Sequence, residues 1–297
     1  MKKLFFTLLL LFPIITSAQS GWNMSLLGAY DYSNSEGNDI WGWVDANSNE
    51  YALVGLVNGF SCVDVTNPTN PVEKFFISDV NSTWRDVKTW GNYAYVTTEA
   101  NAGLLIVDLT DMTGNTFSHV TQFTNNNGGS VSFTSAHDIY IDENGIAYIF
   151  GAGGSGTQSN GAIFLDVDAN PTNPIYLGEW SDEYIHDGMV RGDTMYAGCI
   201  QAGKVFIVDV SNKSNPTTIG SHSTPDNFTH NAWVSDDGDY VFTTDEKSGA
   251  YLTAYDISDV NNIQEVDRIQ SNAGSNSIPH NTFVDGNFLI TSYYRDG

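Results

Sequence analysis

The chain is expected to fold as an all-β protein, a β-propeller of four-stranded antiparallel blades. Two observations carry that expectation. One block recurs: Gly59-Phe-Ser-Cys-Val-Asp64, Gly103-Leu-Leu-Ile-Val-Asp108, Gly161-Ala-Ile-Phe-Leu-Asp166, Gly203-Lys-Val-Phe-Ile-Val-Asp209, and a related block around Asp256. Its aspartates are 44, 58, 43 and 47 residues apart, close to the spacing of stacked supersecondary units. Within each interval apolar and polar residues alternate with period two, and turn-forming residues arrive every 8–12 positions. That is the pattern of short hairpins, and no stretch has helical periodicity. A β-sandwich shares the alternation but does not account for the repeat.

The first 18 residues read as an export signal, with basic Lys2-Lys3, an apolar run from Leu4 to Ile15, and small residues Thr16-Ser17-Ala18 for cleavage. The run is too short for a membrane anchor, and no later stretch is long and apolar enough to span a bilayer. The expected division is a signal peptide at 1–18 and a propeller domain at 19–297. The implied location is outside a bacterial cell or on its outer surface. Thirty-five acidic residues against eleven basic ones, a net charge of −24, exclude nucleic acid and argue against anionic lipid as partners. Cys62 and Cys199 lie in different repeats and read as buried apolar residues, not a bridge.

In chain order, Met24-Ser-Leu-Leu-Gly-Ala-Tyr30 resembles the segments after later Asn-Pro turns, such as Pro174-Ile-Tyr-Leu-Gly-Glu-Trp180. It reads as an outer strand without its own repeat, placed to share a sheet with the last blade. The fifth repeat shows the blade most clearly, with strands expected at 231–235, 240–244, 251–257 and 263–269. The long third repeat is ascribed to the glycine-rich insertion 151–161, read as a surface loop without the lysine and helix of a phosphate cradle. The sixth repeat starts at His280 and Gly297 aligns with the repeat glycines, so the chain is expected to be truncated there, within a ring of six or seven blades. Trp43, Tyr140, Trp233 and Phe283 fall in the middle of successive inner strands and are expected to pack between blades. Arg191-Gly-Asp193 reads as an ordinary hairpin turn, and Asp236-Asp-Gly-Asp239 lacks the distant glutamate of a calcium loop.

A second recurrence bears on function. Each inner strand starts with a short polar pair: His137-Asp138, His186-Asp187, His230-Asn231 and His280-Asn281, with Arg85-Asp86 in the second repeat. Equivalent positions in a propeller surround the central channel at one face, so these imidazoles are expected to form a ring. The loop after the second strand opens on the same face and brings Glu99 and Asp245 nearby, with Arg295 and Asp296 close to that loop. Three readings follow. Imidazoles with carboxylate partners suit a transition metal such as zinc, copper, iron or nickel. One histidine with Glu99 or Asp245 suits acid–base chemistry. Alternatively each histidine bonds a neighbouring blade or the Asp or Asn that follows it, and the ring is structural. No nucleophile elbow and no closely spaced zinc-ligand motif is present.

The blocks Leu104-Leu-Ile-Val-Asp108 and Val205-Phe-Ile-Val-Asp209, followed by Asn-Pro turns, resemble the LVIVD repeat. With Asp39-Ile-Trp-Gly-Trp43, His280-Asn281 and Ser292-Tyr-Tyr-Arg-Asp-Gly297 they resemble exported bacterial proteins of the choice-of-anchor B family. That resemblance implies a secreted or surface-held propeller with a variable C-terminal anchor, often a type IX secretion sorting domain, and carries no activity. A fainter similarity is to the selenium-binding protein and methanethiol oxidase propellers, in which channel histidines hold a metal. The leading expectation is a binding or structural module for an extracellular ligand or envelope component. Its rival is a metal-dependent enzyme, an oxidoreductase for instance, with His137, His186, His230 and His280 as ligands or as the groups that support them.

Overall fold

A computed structural model describes residues 25–153 and 161–296. The expected signal peptide, most of the glycine-rich insertion and Gly297 lie outside the described residues. Among the described residues every regular element is a strand. The first blade is β1 (Gly37–Val44), β2 (Glu50–Leu56), β3 (Gly59–Asp64) and β4 (Val72–Ser78). The second is β5 (Val87–Trp90), β6 (Tyr93–Val96), β7 (Leu104–Asp108) and β8 (Phe117–Val120). A separate hairpin follows, β9 (Gln122–Thr124) with β10 (Ser130–Ser132). The third blade is β11 (Asp138–Ile141), β12 (Ile146–Phe150), β13 (Ala162–Asp166) and β14 (Ile175–Trp180). The fourth is β15 (Asp187–Arg191), β16 (Thr194–Cys199), β17 (Lys204–Asp209) and β18 (Thr217–Ser223). The fifth is β19 (Thr229–Val234), β20 (Tyr240–Asp245), β21 (Leu252–Asp256) and β22 (Gln264–Ile269), and β23 (Pro279–Asp285) pairs with β24 (Phe288–Tyr293). Each four-stranded sheet is an antiparallel meander in sequence order, and no helix of the described residues is long and apolar enough to cross a membrane.

The recurring block is explained by what its two faces do. In β7, Leu105 and Val107 pack on Leu53, Phe60 and Cys62 of the first blade, while Leu104 and Ile106 pack on Ile139, Ile149 and Ile163 of the third. A strand buried on both faces carries a continuous apolar run. The hydrophobic core therefore lies between blades, in a series of layers that includes Val190 against Phe164 and Ile207 against Val241. The closing aspartate ends the third strand. Asp64, Asp108, Asp209 and Asp256 each accept the backbone N–H two residues on, at 2.8–3.0 Å, and Asp166 takes that of Ala169 at 2.8 Å. These side-chain turns redirect the chain toward the outer strand. The preceding glycine is needed for its backbone: Gly103 and Gly203 have φ of +77° and +64°.

Outer strands meet the next blade through close backbone approach. A Cβ on Gly178 would lie 1.9 Å from the Lys213 carbonyl oxygen, and one on Gly220 would lie 2.8 Å from that of Val260. Gly28 makes the same approach to the Pro68 carbonyl, at 2.2 Å, so the segment before the first blade takes the place of an outer strand although it forms no ladder. The apolar faces at the two ends of the series are open. Ile40 is 63% exposed, whereas Val87 and Ile139 at the same register are fully buried, and Phe288 is 73% exposed.

Two details differ from expectation. The length of the third repeat comes partly from β9–β10, whose Phe123 and neighbouring Phe133 stack at 5.1 Å and join the core between the second and third blades. Trp43 does not share the register of Tyr140, Trp233 and Phe283. It packs on Tyr51 and donates its indole N–H to the Gly91 carbonyl at 2.9 Å, while Trp41 occupies the equivalent position, two residues after the inner-strand Asp. Both cysteines are buried and unbridged, as expected, and burial pushes the Cys62 thiol up to about 12.

Candidate metal centre

The inner strands β1, β5, β11, β15, β19 and β23 bring their first residues to one cavity of about 180 Å³, whose lining includes Arg85, all four repeat histidines, Glu99 and Glu246. The first blade contributes Asn38 and Asp39 at the same offset, a pair the sequence reading missed because it contains neither His nor Arg. The imidazoles of His137 and His186 stack with centroids 3.8 Å apart, His186 and His230 are 4.5 Å apart, and His230 and His280 are 4.3 Å apart. The Trp84 indole stands 6.4 Å from His137 at the edge. Two residues further along the inner strands, Tyr140 and Trp233, and Trp233 and Phe283, meet edge to face.

The two residues of each recurring pair have different jobs. The second residue ties its blade to the next. Asp39 accepts the N–H of Val87 at 2.8 Å, Asp86 that of Ile139 at 3.4 Å, Asp138 that of Gly188 at 3.3 Å, and Asn231 that of Thr282 at 3.1 Å. Asp187 instead accepts the side-chain N–H of Asn231 at 2.9 Å. Lys88, buried among these carboxylates, bonds Asp86 at 2.5 Å and lies 4.7 Å from the Trp41 ring centre. Burial opposes its charge, but Asp86, Asp39 and Asp187 outweigh that and raise its pKa. Burial and the Asp86 charge push Asp187 up to about 7 and hold Asp39 well above the usual carboxylate range.

Where the first residue of the pair is histidine, its ring makes no bond to a neighbouring backbone among the described residues. Neighbouring blades bond the histidine backbone, since Thr97 donates its hydroxyl to the His137 carbonyl at 3.3 Å and Thr244 likewise to that of His280, and Glu99 of the second blade also reaches the His137 ring. The rings face carboxylates and phenols. His137 Nδ1 lies 2.7 Å from Glu99 Oε1, His186 Nδ1 lies 3.2 Å from the Tyr184 hydroxyl, and His230 Nε2 lies 3.7 Å from Glu246. Glu246 also lies 4.0 Å from His280 Nε2 and accepts the Tyr294 hydroxyl at 2.7 Å. His230 is 3% exposed, and its Nδ1 has no hydrogen-bond partner among the described residues. Burial, with the neighbouring imidazoles, lowers His186 to about 3 and His230 well below the ordinary histidine value, so both rings are neutral at pH 7. Neutral imidazole is the ligand form.

Two sets of ligand atoms, His137 with His186 and His230, and His230 with Glu246 and His280, each lie within 4.8 Å of one another. The chemistry of three imidazoles, or two with a carboxylate, suits a first-row transition metal.

The expected histidine ring is therefore present, and the accompanying residues are redistributed. Glu99 is at the mouth as expected. Asp138 and Asp187 line the cavity floor and act between blades. Arg85 lines the wall, but its guanidinium is spent on Asp79 and the carbonyls of Leu56 and Val80. Asp245 is a correction. It points away from the ring and accepts from the Thr224 hydroxyl and the Asp226 and Phe228 amides, because alternation along β20 turns its side chain into the 224–228 loop. The adjacent Glu246 supplies the carboxylate at the mouth. Asp296 is also turned away, to Ser271 and Ser275, and Tyr294 takes the place beside the ring. The signal for Glu246 was its position one residue beyond a strand that ends at Asp245.

Comparison with known proteins agrees with this architecture. The LVIVD repeat matches at residues 46–79, 83–118 and 190–224. No curated protein sequence matches the chain. Among solved structures, the Cps50 (Swd1) β-propeller domain of Myceliophteria thermophila is similar with a TM-score of 0.56 at 11% identity, over 88% of this chain and 82% of that one. A protein from Lactobacillus plantarum is similar with a TM-score of 0.59 at 12% identity, over 86% and 74%. Dihydro-heme d1 dehydrogenase NirN, in complex with DHE, is similar with a TM-score of 0.56 at 11% identity, over 86% and 51%. These likenesses establish an LVIVD-repeat β-propeller fold.

Proposed function

We propose that this chain is an exported β-propeller of the choice-of-anchor B type that binds a transition metal at its channel mouth, through His137, His186, His230 and His280. The observation that carries the proposal is the division of labour within the recurring pair. Asp39, Asp86, Asp138 and Asn231 accept backbone N–H groups from the next blade, whereas the imidazoles make no such bond and converge on one cavity. A buried imidazole nitrogen without a partner costs stability, about 1–3 kcal/mol for an unmade hydrogen bond. His230 Nδ1 is such an atom, and metal ligation accounts for it. Glu99 beside His137 and Tyr184 beside His186 fix ring orientation, as partners of metal-bound histidines do.

A metal held there faces the cavity at the mouth, where a small molecule can reach it. Depending on its identity, the ion would supply Lewis-acid or redox chemistry, with Glu99 holding the His137 ring through Nδ1. The test is elemental analysis of protein purified without chelator, beside a His186→Ala, His230→Ala variant shown to be folded. Near-stoichiometric metal lost in the variant is expected. No metal in either protein overturns the proposal and leaves the ring as part of a binding scaffold.

A further inference from the structure

The ligand atoms at the mouth fall into two sets that share His230. With ligand bonds of about 2.0–2.2 Å, two ligands of one ion are at most about 4.4 Å apart. One ion seated between His137 and His186 is therefore poorly placed to take Glu246 and His280 as well. We propose, resting on the metal-centre reading above, that the mouth holds two transition-metal ions side by side, with the His230 imidazole as the ligand common to both.

His230 has the position this role needs. Its ring lies between those of His186, at 4.5 Å, and His280, at 4.3 Å. Its Nε2 is turned toward Glu246 at 3.7 Å, which leaves Nδ1, buried and without a hydrogen bond, for the other ion. The remaining ligands are held separately on each side. Glu99 engages His137 Nδ1 and Tyr184 engages His186 Nδ1, so each of those rings offers Nε2. On the other side the Tyr294 hydroxyl holds Glu246 at 2.7 Å, within reach of His280. When the second ion binds, the His230 ring proton passes to solvent, and the bridging imidazolate with the Glu246 carboxylate balances that ion's charge.

The test titrates the full chain, freed of metal, with copper(II) and reads stoichiometry by equilibrium dialysis and spin state by electron paramagnetic resonance. Two ions per chain are expected, with the signal of isolated copper reduced by more than half as the second equivalent binds. Glu246→Gln and His280→Ala should each bring stoichiometry to one and restore the isolated signal. Thermal unfolding of the two variants checks that both remain folded. One ion per chain in the unaltered protein overturns this inference and leaves the metal-centre reading standing. No bound ion overturns both. Two ions with undiminished isolated signals, or two retained in a folded His230→Ala variant, contradict the shared ligand.

Discussion

Asp39 in β1 accepts the backbone N–H of Val87 in β5 at 2.8 Å, so a side chain on the channel wall of the first blade satisfies the main chain of the second. Val87 is fully buried, and without Asp39 its N–H has no water to turn to. Asp39→Ala should destabilise the fold by about 1–3 kcal/mol. Asp39→Asn should cost less, since Asn231 makes the same bond to Thr282. Denaturant midpoints of the two variants check the order, and an alanine variant as stable as the asparagine one would contradict the staple.

Asp187 predicts a pH dependence. Its folded-state value of about 7 lies above the ordinary 3.8, so the native chain holds a proton there that the unfolded chain has released. The stability this contributes is full below pH 4 and is lost as pH rises through 7, with a ceiling of roughly 4 kcal/mol. Asp187→Asn carries the residue found at 231 and 281 and removes that dependence. Its unfolding free energy should fall less than that of the unaltered protein between pH 5 and pH 8. Parallel curves for the two proteins would exclude a protonated Asp187.

Glu99 touches His137, and no other described carboxylate is hydrogen-bonded to that ring. Glu99→Gln should lower metal affinity 10- to 100-fold with stoichiometry unchanged, as loss of a ligand-orienting partner does. Competition with a chromophoric chelator measures this. Unaltered affinity would show that Glu99 does not orient His137 for a metal.

Gly178 is pressed against the Lys213 carbonyl of the next blade. Gly178→Ala should force the outer strand β14 away from the fourth blade and lower the unfolding temperature by several degrees, as an overpacked contact costing about 1–3 kcal/mol does. Gly192→Ala, at a turn where a Cβ has open space but φ is +55°, separates the packing effect from backbone strain. Equal losses in the two would mean that close approach is not what selects glycine at 178.

Much of this architecture was legible because its chemistry is local. Asp108 and Gly103 announce a strand and its turns through bonds and dihedrals within a few residues, and the apolar run between them reports burial on both faces. The ring of histidines was legible because the spacing of the pairs survives in the sequence. What escaped depends on side-chain direction. One residue separates Glu246 from Asp245, and alternation sends the two to opposite sides, whereas Trp41 and Trp43, two residues apart, share a face and differ in their place along the strand, beside Thr89 and Gly91. Asn38-Asp39 escaped because its role is carried by the backbone contact of Asp39, not by a histidine. The β9–β10 hairpin escaped because its three-residue strands are too short to show a period.

The most direct measurement is anomalous diffraction from crystals of protein purified without chelator, collected across the absorption edges of copper and zinc. The account predicts peaks at the channel mouth, bonded to His230 and to His137 with His186 or Glu246 with His280. A map without a peak at the mouth, or with metal bound only at surface carboxylates elsewhere, would contradict it.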